Sequence, residues 1–329
     1  MSRKIRSAII KLILLNLLIF GLSSCTSEAS ISSFEKLSSL DDIIYIEPVE
    51  VDADYLDRIE ESRSSLRDEY AAYIENWDDT SELIDAEDIL CYKIRYISGD
   101  AEVIGYISAP ADYQTNEYPI LIDNRGGNGE YGAVESAYVQ NSARYGFVVL
   151  ASQYRGVDGG TGIDEFGGAD VDDVIKLIDF AEIFPFTNGK LYMLGWSRGA
   201  MQTYIVLSRD DRVDAAVAGA GPTDLIKFYE ESAAPMCRMM RQRIGGSPTT
   251  DVEEYIARSA MYWSEMINTP LFIAHGTADE RVETYHSQDL FDAMSALGKD
   301  VKLNIYPDMD HSKAYQAFER DYLLWLKQQ

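Results

Sequence analysis

Histidine and cysteine are scarce in this chain of 329 residues, three of each against 55 acidic side chains. Cys91 and Cys237, the two cysteines left once N-terminal Cys25 is set aside, cannot build a disulfide framework and read as plain buried thiols. Neither C-x-x-C nor H-E-x-x-H occurs, so ligand spacing points to no metal, and no cofactor is expected. Positive charge is scarce too. The balance of −26 excludes binding nucleic acid through its phosphates and repels anionic lipid surfaces. What is present, 46% hydrophobic residues, is enough for one large α/β domain or two small ones.

The long apolar run lies at the N-terminus. Arg3, Lys4 and Arg6 precede the stretch Leu12–Leu22, and Leu22-Ser23-Ser24-Cys25 resembles a bacterial lipobox, in which the cysteine is lipidated and becomes the mature N-terminus. Residues 1–24 are therefore expected to be a lipoprotein signal peptide; an uncleaved anchor and an ordinary signal are the alternatives. Thr26 in place of a retention aspartate makes the outer membrane the default address of a lipid-anchored envelope protein. Residues 25–50, Ser-rich at their start, are expected to be a tether. Tyr55, Ile59, Leu66, Tyr70, Tyr73 and Trp77 then recur at helical spacing, giving a helical segment over 51–88 that docks on the main domain.

From Ile89 onward the period changes. Eight β-rich or apolar runs (Ile89–Ile97, Glu102–Ser108, Pro119–Ile122, Gly146–Ala151, Leu191–Leu194, Ala215–Ala218, Leu271–Ala274 and Val301–Tyr306) alternate with helical patterns. Ser98-Gly99-Asp100 marks a hairpin between the first two. The expectation is an α/β domain over 89–329: a mostly parallel eight-stranded sheet, helices on both faces, and a helical insertion from Leu225 to about Ile267.

Chemistry concentrates at Gly195-Trp196-Ser197-Arg198-Gly199. G-x-S-x-G between an apolar run and a helical one is the context of a nucleophile elbow, where glycines clear space around a strained serine. The serine needs a base and an acid. Of the three histidines, His275 ends a strand and reads as structural, and His286 reads as a partly exposed helical residue. His311 lies in a loop between the last strand and the last helix. Asp279 follows a strand end, where sites form in open α/β sheets. The order Ser197, Asp279, His311 is that of α/β-hydrolases. Asp308, Asp310 and Glu280 are the competing carboxylates, expected to cover surface.

Asn124-Arg125-Gly126-Gly127, Tyr154-Arg155-Gly156, Phe166 to Asp173, Gly195 to Gly199, His275 to Asp279 and Tyr306 to His311 together resemble the catalytic domain of the prolyl oligopeptidase family of serine peptidases, from about Leu90 to the C-terminus. The resemblance implies an α/β-hydrolase fold, with Ser197 as nucleophile, Asp279 as acid, His311 as base and the Arg198 N–H as one oxyanion donor. Family members carry a tyrosine or a His-Gly-Gly segment as second donor; the matching place here is Asn124 to Gly127, and Gly127 is proposed. A β-propeller, at roughly 40–45 residues per blade, has no room in residues 26–88. Peptides or esters are the implied substrates: peptidase and carboxylic or carbohydrate esterase remain open, beside a non-catalytic binding lipoprotein. Asn124, Arg125 and Trp196 are candidate substrate contacts. Arg125 and Arg198 either pair with surface carboxylates or bind a substrate carboxylate.

Overall fold

Apolar strand residues alternate between two cores, and this alternation organises the molecule. In the computed structural model, which describes residues 37–59, 61, 83–184 and 189–329, Val148 and Leu150 of one strand face one core while Val149 and Ala151 face the other. The same split separates Ala216 and Ala218 from Ala215 and Val217, and Ile273 from Phe272 and Ala274. A strand apolar on both faces must be covered on both, and burying each of the larger ones (Val, Leu, Ile or Phe) contributes roughly 1.5–3 kcal/mol.

The sheet has nine strands in the order β1-β2-β3-β5-β4-β6-β7-β8-β9. They are β1 (Ile43–Pro48), β2 (Ile89–Ser98), β3 (Ala101–Pro110), β4 (Ile120–Asn124), β5 (Val148–Ser152), β6 (Leu191–Trp196), β7 (Ala215–Gly219), β8 (Leu271–Gly276) and β9 (Val301–Tyr306). From β5 to β9 every neighbouring pair is parallel; β1–β2, β2–β3 and β3–β5 are antiparallel. The fold is thus the expected α/β one, with one strand more than expected. Ile43–Pro48, placed by the sequence in the tether, adds to the free edge of β2 instead. Its partner lies more than forty residues away, so no local turn signal marks it.

Helices α1 (Ser136–Arg144) and α8 (His311–Leu326) cover one face. The other face carries α2 (Asp170–Ala181), α3 (Arg198–Leu207) and α7 (Tyr285–Ala296). The insertion before β8 holds α4 (Leu225–Glu231), α5 (Ala234–Ile244) and α6 (Val252–Ile256). Of the expected helical segment over 51–88, residues 53–59 are helical and bury Leu56 rather than Tyr55; residues 60 and 62–82 lie outside the described residues, as do the expected signal and Cys25. Among the described residues no helix is long and apolar enough to cross a membrane.

Candidate active site

The elbow forms because two side chains are missing. A Cβ on Gly195 would overlap the Gly199 carbonyl, and one on Gly199 would overlap the Asn124 carbonyl. β6 can therefore turn sharply into α3, holding Ser197 at φ 58°, ψ −125°, a conformation that costs a residue with a side chain on the order of 1–3 kcal/mol. The Ser197 N–H donates to the Gly219 carbonyl at 2.7 Å, which ties the turn to the end of β7. As the first residue of α3, Arg198 has an N–H with no partner within its helix, at the positive end of the dipole.

Asp279 is held from four directions. Its Oδ1 accepts from the N–H groups of Arg281 (2.9 Å) and Val282 (3.1 Å), and its Oδ2 lies 2.6 Å from His311 Nδ1 and 3.3 Å from His275 Nε2. Burial pushes this carboxyl up, but hydrogen bonds from His275 and His311 outweigh it and hold Asp279 well below the usual carboxylate range. An ionised Asp279 only accepts, so His311 Nδ1 carries the proton and neutral Nε2 keeps its lone pair. His311 is not a loop residue: it opens α8, because the Asp310 side chain caps that helix by accepting from the Ser312 and Lys313 N–H groups at 3.0 Å. Its ring packs edge-on against Trp196, with centroids 5.8 Å apart, which sets the imidazole beside the residue preceding the serine. No hydrogen bond joins the Ser197 hydroxyl to His311 among the described residues, as is common before substrate binds.

The other two histidines are both buried. His275 Nε2 donates to the Val282 carbonyl (2.9 Å), so its Nδ1 accepts from the Ser287 hydroxyl at 2.7 Å, a structural role that also braces Asp279. His286 is fully buried rather than partly exposed. The Thr223 N–H donates to its Nδ1 at 3.3 Å, and burial above all, with the charge of Lys227 adding, pushes it down to about 3. Glu280 and Asp308 are exposed, and no hydrogen bond reaches their carboxylates from the triad residues. Cys91 and Cys237 are free; burial pushes the Cys91 thiol up to about 11, while Cys237 is only half-buried.

The residues expected to touch substrate turn out to be occupied. Arg198 is buried and paired with Asp164 (2.5 Å) and Asp170 (2.8 Å), so the carboxylates it meets are interior ones. Arg125 is buried too, its guanidinium spent on the carbonyls of Gln153, Gly126, Tyr131 and Gly129. Neither is free to bind a substrate carboxylate. Asn124 donates to Thr203 Oγ1 at 2.9 Å, and Trp196 packs against His311, Tyr315 and Phe318. Gly126 lies against the elbow, since a Cβ on it would stand 3.5 Å from Ser197 Cβ; Gly127, at φ 68°, follows in the same loop. Asp164, Asp170 and Tyr154 escape a sequence reading. Tyr154 and Asp170 stand in segments that carry the family resemblance, but nothing beside them in sequence shows that they meet Arg125 or Arg198. Among the described residues no group of three or more His, Cys, Asp or Glu side chains is placed to hold a metal ion.

A parallel sheet, a strained serine between β6 and α3, and a bonded Asp–His pair beyond β8 and β9 define the α/β-hydrolase class. The model of the prolyl oligopeptidase family matches residues 134–328, and the chain belongs to that family of serine peptidases. It is 29% identical over 247 residues to the uncharacterized peptidase YtmA of Bacillus subtilis, covering 74% of this chain and 95% of that one. It is 27% identical to the uncharacterized peptidase YuxL of the same organism, covering 67% of this chain and 35% of the relative. A Pyrococcus horikoshii acylaminoacyl peptidase structure superposes with a TM-score of 0.63 at 20% identity, over 73% of this chain and 41% of the other. The chain thus spans nearly all of one relative and well under half of the other two proteins.

Proposed function

We propose that Ser197, Asp279 and His311 are the nucleophile, acid and base of a peptidase that acts through an acyl-enzyme. The observation that carries this is the 2.6 Å Asp279–His311 bond, formed beside an elbow that holds Ser197 at a strained φ of 58°. Ser197 Oγ attacks the scissile carbonyl and passes its proton to His311 Nε2. Asp279 stabilises the resulting imidazolium, and His311 then gives the proton to the leaving amine; water repeats the sequence to free the acid. The N–H groups of Arg198 and Gly127 receive the oxyanion.

A fluorophosphonate probe should label the full-length protein and fail on Ser197→Ala; undiminished labelling of that variant ends the assignment. Turnover of aminoacyl amides against short acyl esters separates peptidase from esterase, and loss of all amide turnover in an enzyme that hydrolyses the esters would establish the second reading.

We further infer that the protein is exported and lipid-anchored at Cys25 in a bacterial envelope, with residues 1–24 removed. Support comes from the basic and apolar run ending in Leu22-Ser23-Ser24-Cys25. Cys25→Ser should move the protein out of the membrane fraction, since the rest is strongly anionic; continued membrane association would show that the apolar segment itself is kept.

A further inference from the structure

The loop over residues 126–132 is held from beneath by its carbonyl groups. Arg125 donates Nη1 to the Gly126 carbonyl at 3.2 Å and to that of Tyr131 at 3.4 Å, and Nη2 to that of Gly129 at 2.8 Å. Arg198 Nη1 donates to the Gly127 carbonyl at 3.3 Å. Both guanidinium groups lie over the ring of Tyr154, at 5.0 and 4.8 Å from its centroid. Asp164 closes the arrangement: Oδ2 accepts from the Gly129 N–H at 3.1 Å and from Arg198 Nη1 at 2.8 Å, and Oδ1 accepts from Arg198 Nη2 at 2.5 Å. Arg198 and Asp164 are almost wholly buried, so water does not loosen these bonds.

A trans peptide points its C=O and the next N–H in opposite directions. Fixing the Gly126 carbonyl on Arg125 therefore turns the Gly127 N–H away from the arginine layer. Gly126 itself lies against Ser197, a Cβ on it standing 3.5 Å from Ser197 Cβ, which puts that peptide beside the elbow. Arg198 directly follows the serine and supplies the other donor from its own backbone. One residue thus gives one donor through its main chain and holds the second through its side chain.

Resting on the assignment of Ser197 as nucleophile, we propose that Arg125, Arg198 and Asp164 are positioning residues for the oxyanion hole. They act on the Gly127 N–H through the loop and touch no substrate. Such a layer stabilises the tetrahedral adduct and leaves ground-state binding alone, because the donor is aimed at an oxygen that moves into place only as charge develops.

The test uses the full-length chain carrying Arg125→Met, Arg125→Lys, Arg198→Lys or Asp164→Asn. Each is compared with wild type for kcat, for KM, and for inhibition by a peptide aldehyde, which adds to Ser197 to form an oxyanion, and by the matching alcohol, which does not. Arg125→Met should lower kcat about 10²-fold with KM within about threefold, and weaken the aldehyde by the same factor while leaving the alcohol unchanged. Arg125→Lys and Arg198→Lys keep a buried cation but lose the forked grip, and should show the same pattern with a smaller loss; they carry the test if Arg125→Met does not fold. An unchanged aldehyde-to-alcohol affinity ratio in folded variants would overturn the proposal. Labelling by fluorophosphonate that survives Ser197→Ala would instead remove the nucleophile assignment beneath it, so the two failures are distinguishable.

Discussion

Beside the elbow, two loops at the C-terminal ends of the strands shape the candidate site, and they are held in different ways. The loop after β8 is fixed mostly by its own residues: Asp279 accepts from the N–H groups two and three positions on, and His275 four positions back braces it. The loop after β4 takes three bonds from Arg125 at its own start but is closed by side chains from far along the chain, with Asp164 reaching Gly129 across 35 positions and Arg198 reaching Gly127 across 71. The first is a compact turn whose geometry travels with its motif. The second is assembled only when β4, β5, α2 and α3 have packed. A local loop tolerates change elsewhere in the fold; an assembled one registers every shift in the elements that meet at it.

The sharpest way to break the comparison lies in the local loop. Asp279→Asn should leave the fold intact but lose the correct His311 tautomer, lowering kcat on the order of 10⁴-fold, while Glu280→Gln and Asp310→Asn cost far less. Steady-state kinetics checks this, and equal losses in either control would mean the acid is misassigned.

Gly127→Ala strikes the assembled loop. A Cβ there would overlap the Tyr131 carbonyl at a left-handed φ, so the Gly127 N–H must shift and kcat should fall about 10²–10³-fold. Aldehyde inhibition should weaken alongside it in the same assay.

A third measurement probes the support behind the local loop. His286 has its pKa pushed down to about 3 from an ordinary 6.5, so its burial favours the neutral form. The folded state binds fewer protons than the unfolded one between those values, and stability is full above about pH 6.5 and declines as pH falls. The melting temperature should drop between pH 6.5 and 5, and His286→Gln should flatten that drop. Asp279 gives its own loss only at lower pH: its depressed carboxyl contributes stability above the usual carboxylate range that disappears as pH falls below it.

The smallest effect is expected from a cation cluster remote from both loops. Arg212 joins Asp210, Asp179 and Glu182 at a partly exposed surface, and Arg212→Met should cost no more than about 1 kcal/mol in denaturant unfolding, with kcat unchanged. A larger loss would mean that long-range ion pairs matter as much at the surface as beneath the elbow.

The same contrast decides what could be read from the residues alone. Ser197, Asp279 and His311 were placed in the right elements, or one residue away, because each belongs to a short pattern written in adjacent positions. The parallel strands were legible for a similar reason: runs such as Val148–Ser152 are apolar on both faces over their own length. Strand β1 was not legible, since its edge pairing with β2 joins segments separated by more than forty residues. Nor were the tasks of Arg125 and Arg198. Pairing with surface carboxylates and binding a substrate carboxylate both stay open on the sequence, because nothing near them reveals Asp164, Asp170 or the loop carbonyls that occupy them. His286 was misjudged because its burial depends on Thr223 and Phe228, contributed by the segment after β7.

The left-handed serine has a consequence for how this sequence could drift. Position 197 is one where the functional residue is not the most stable one. Glycine would relieve the strained backbone and clash with nothing, so Ser197→Gly should raise the melting temperature by a few degrees while abolishing turnover. Selection for folding alone would pull this codon toward glycine, and on the proposed role of Ser197 it is selection for catalysis that holds it as serine. A descendant released from its chemistry would be expected to lose the serine before it lost the elbow.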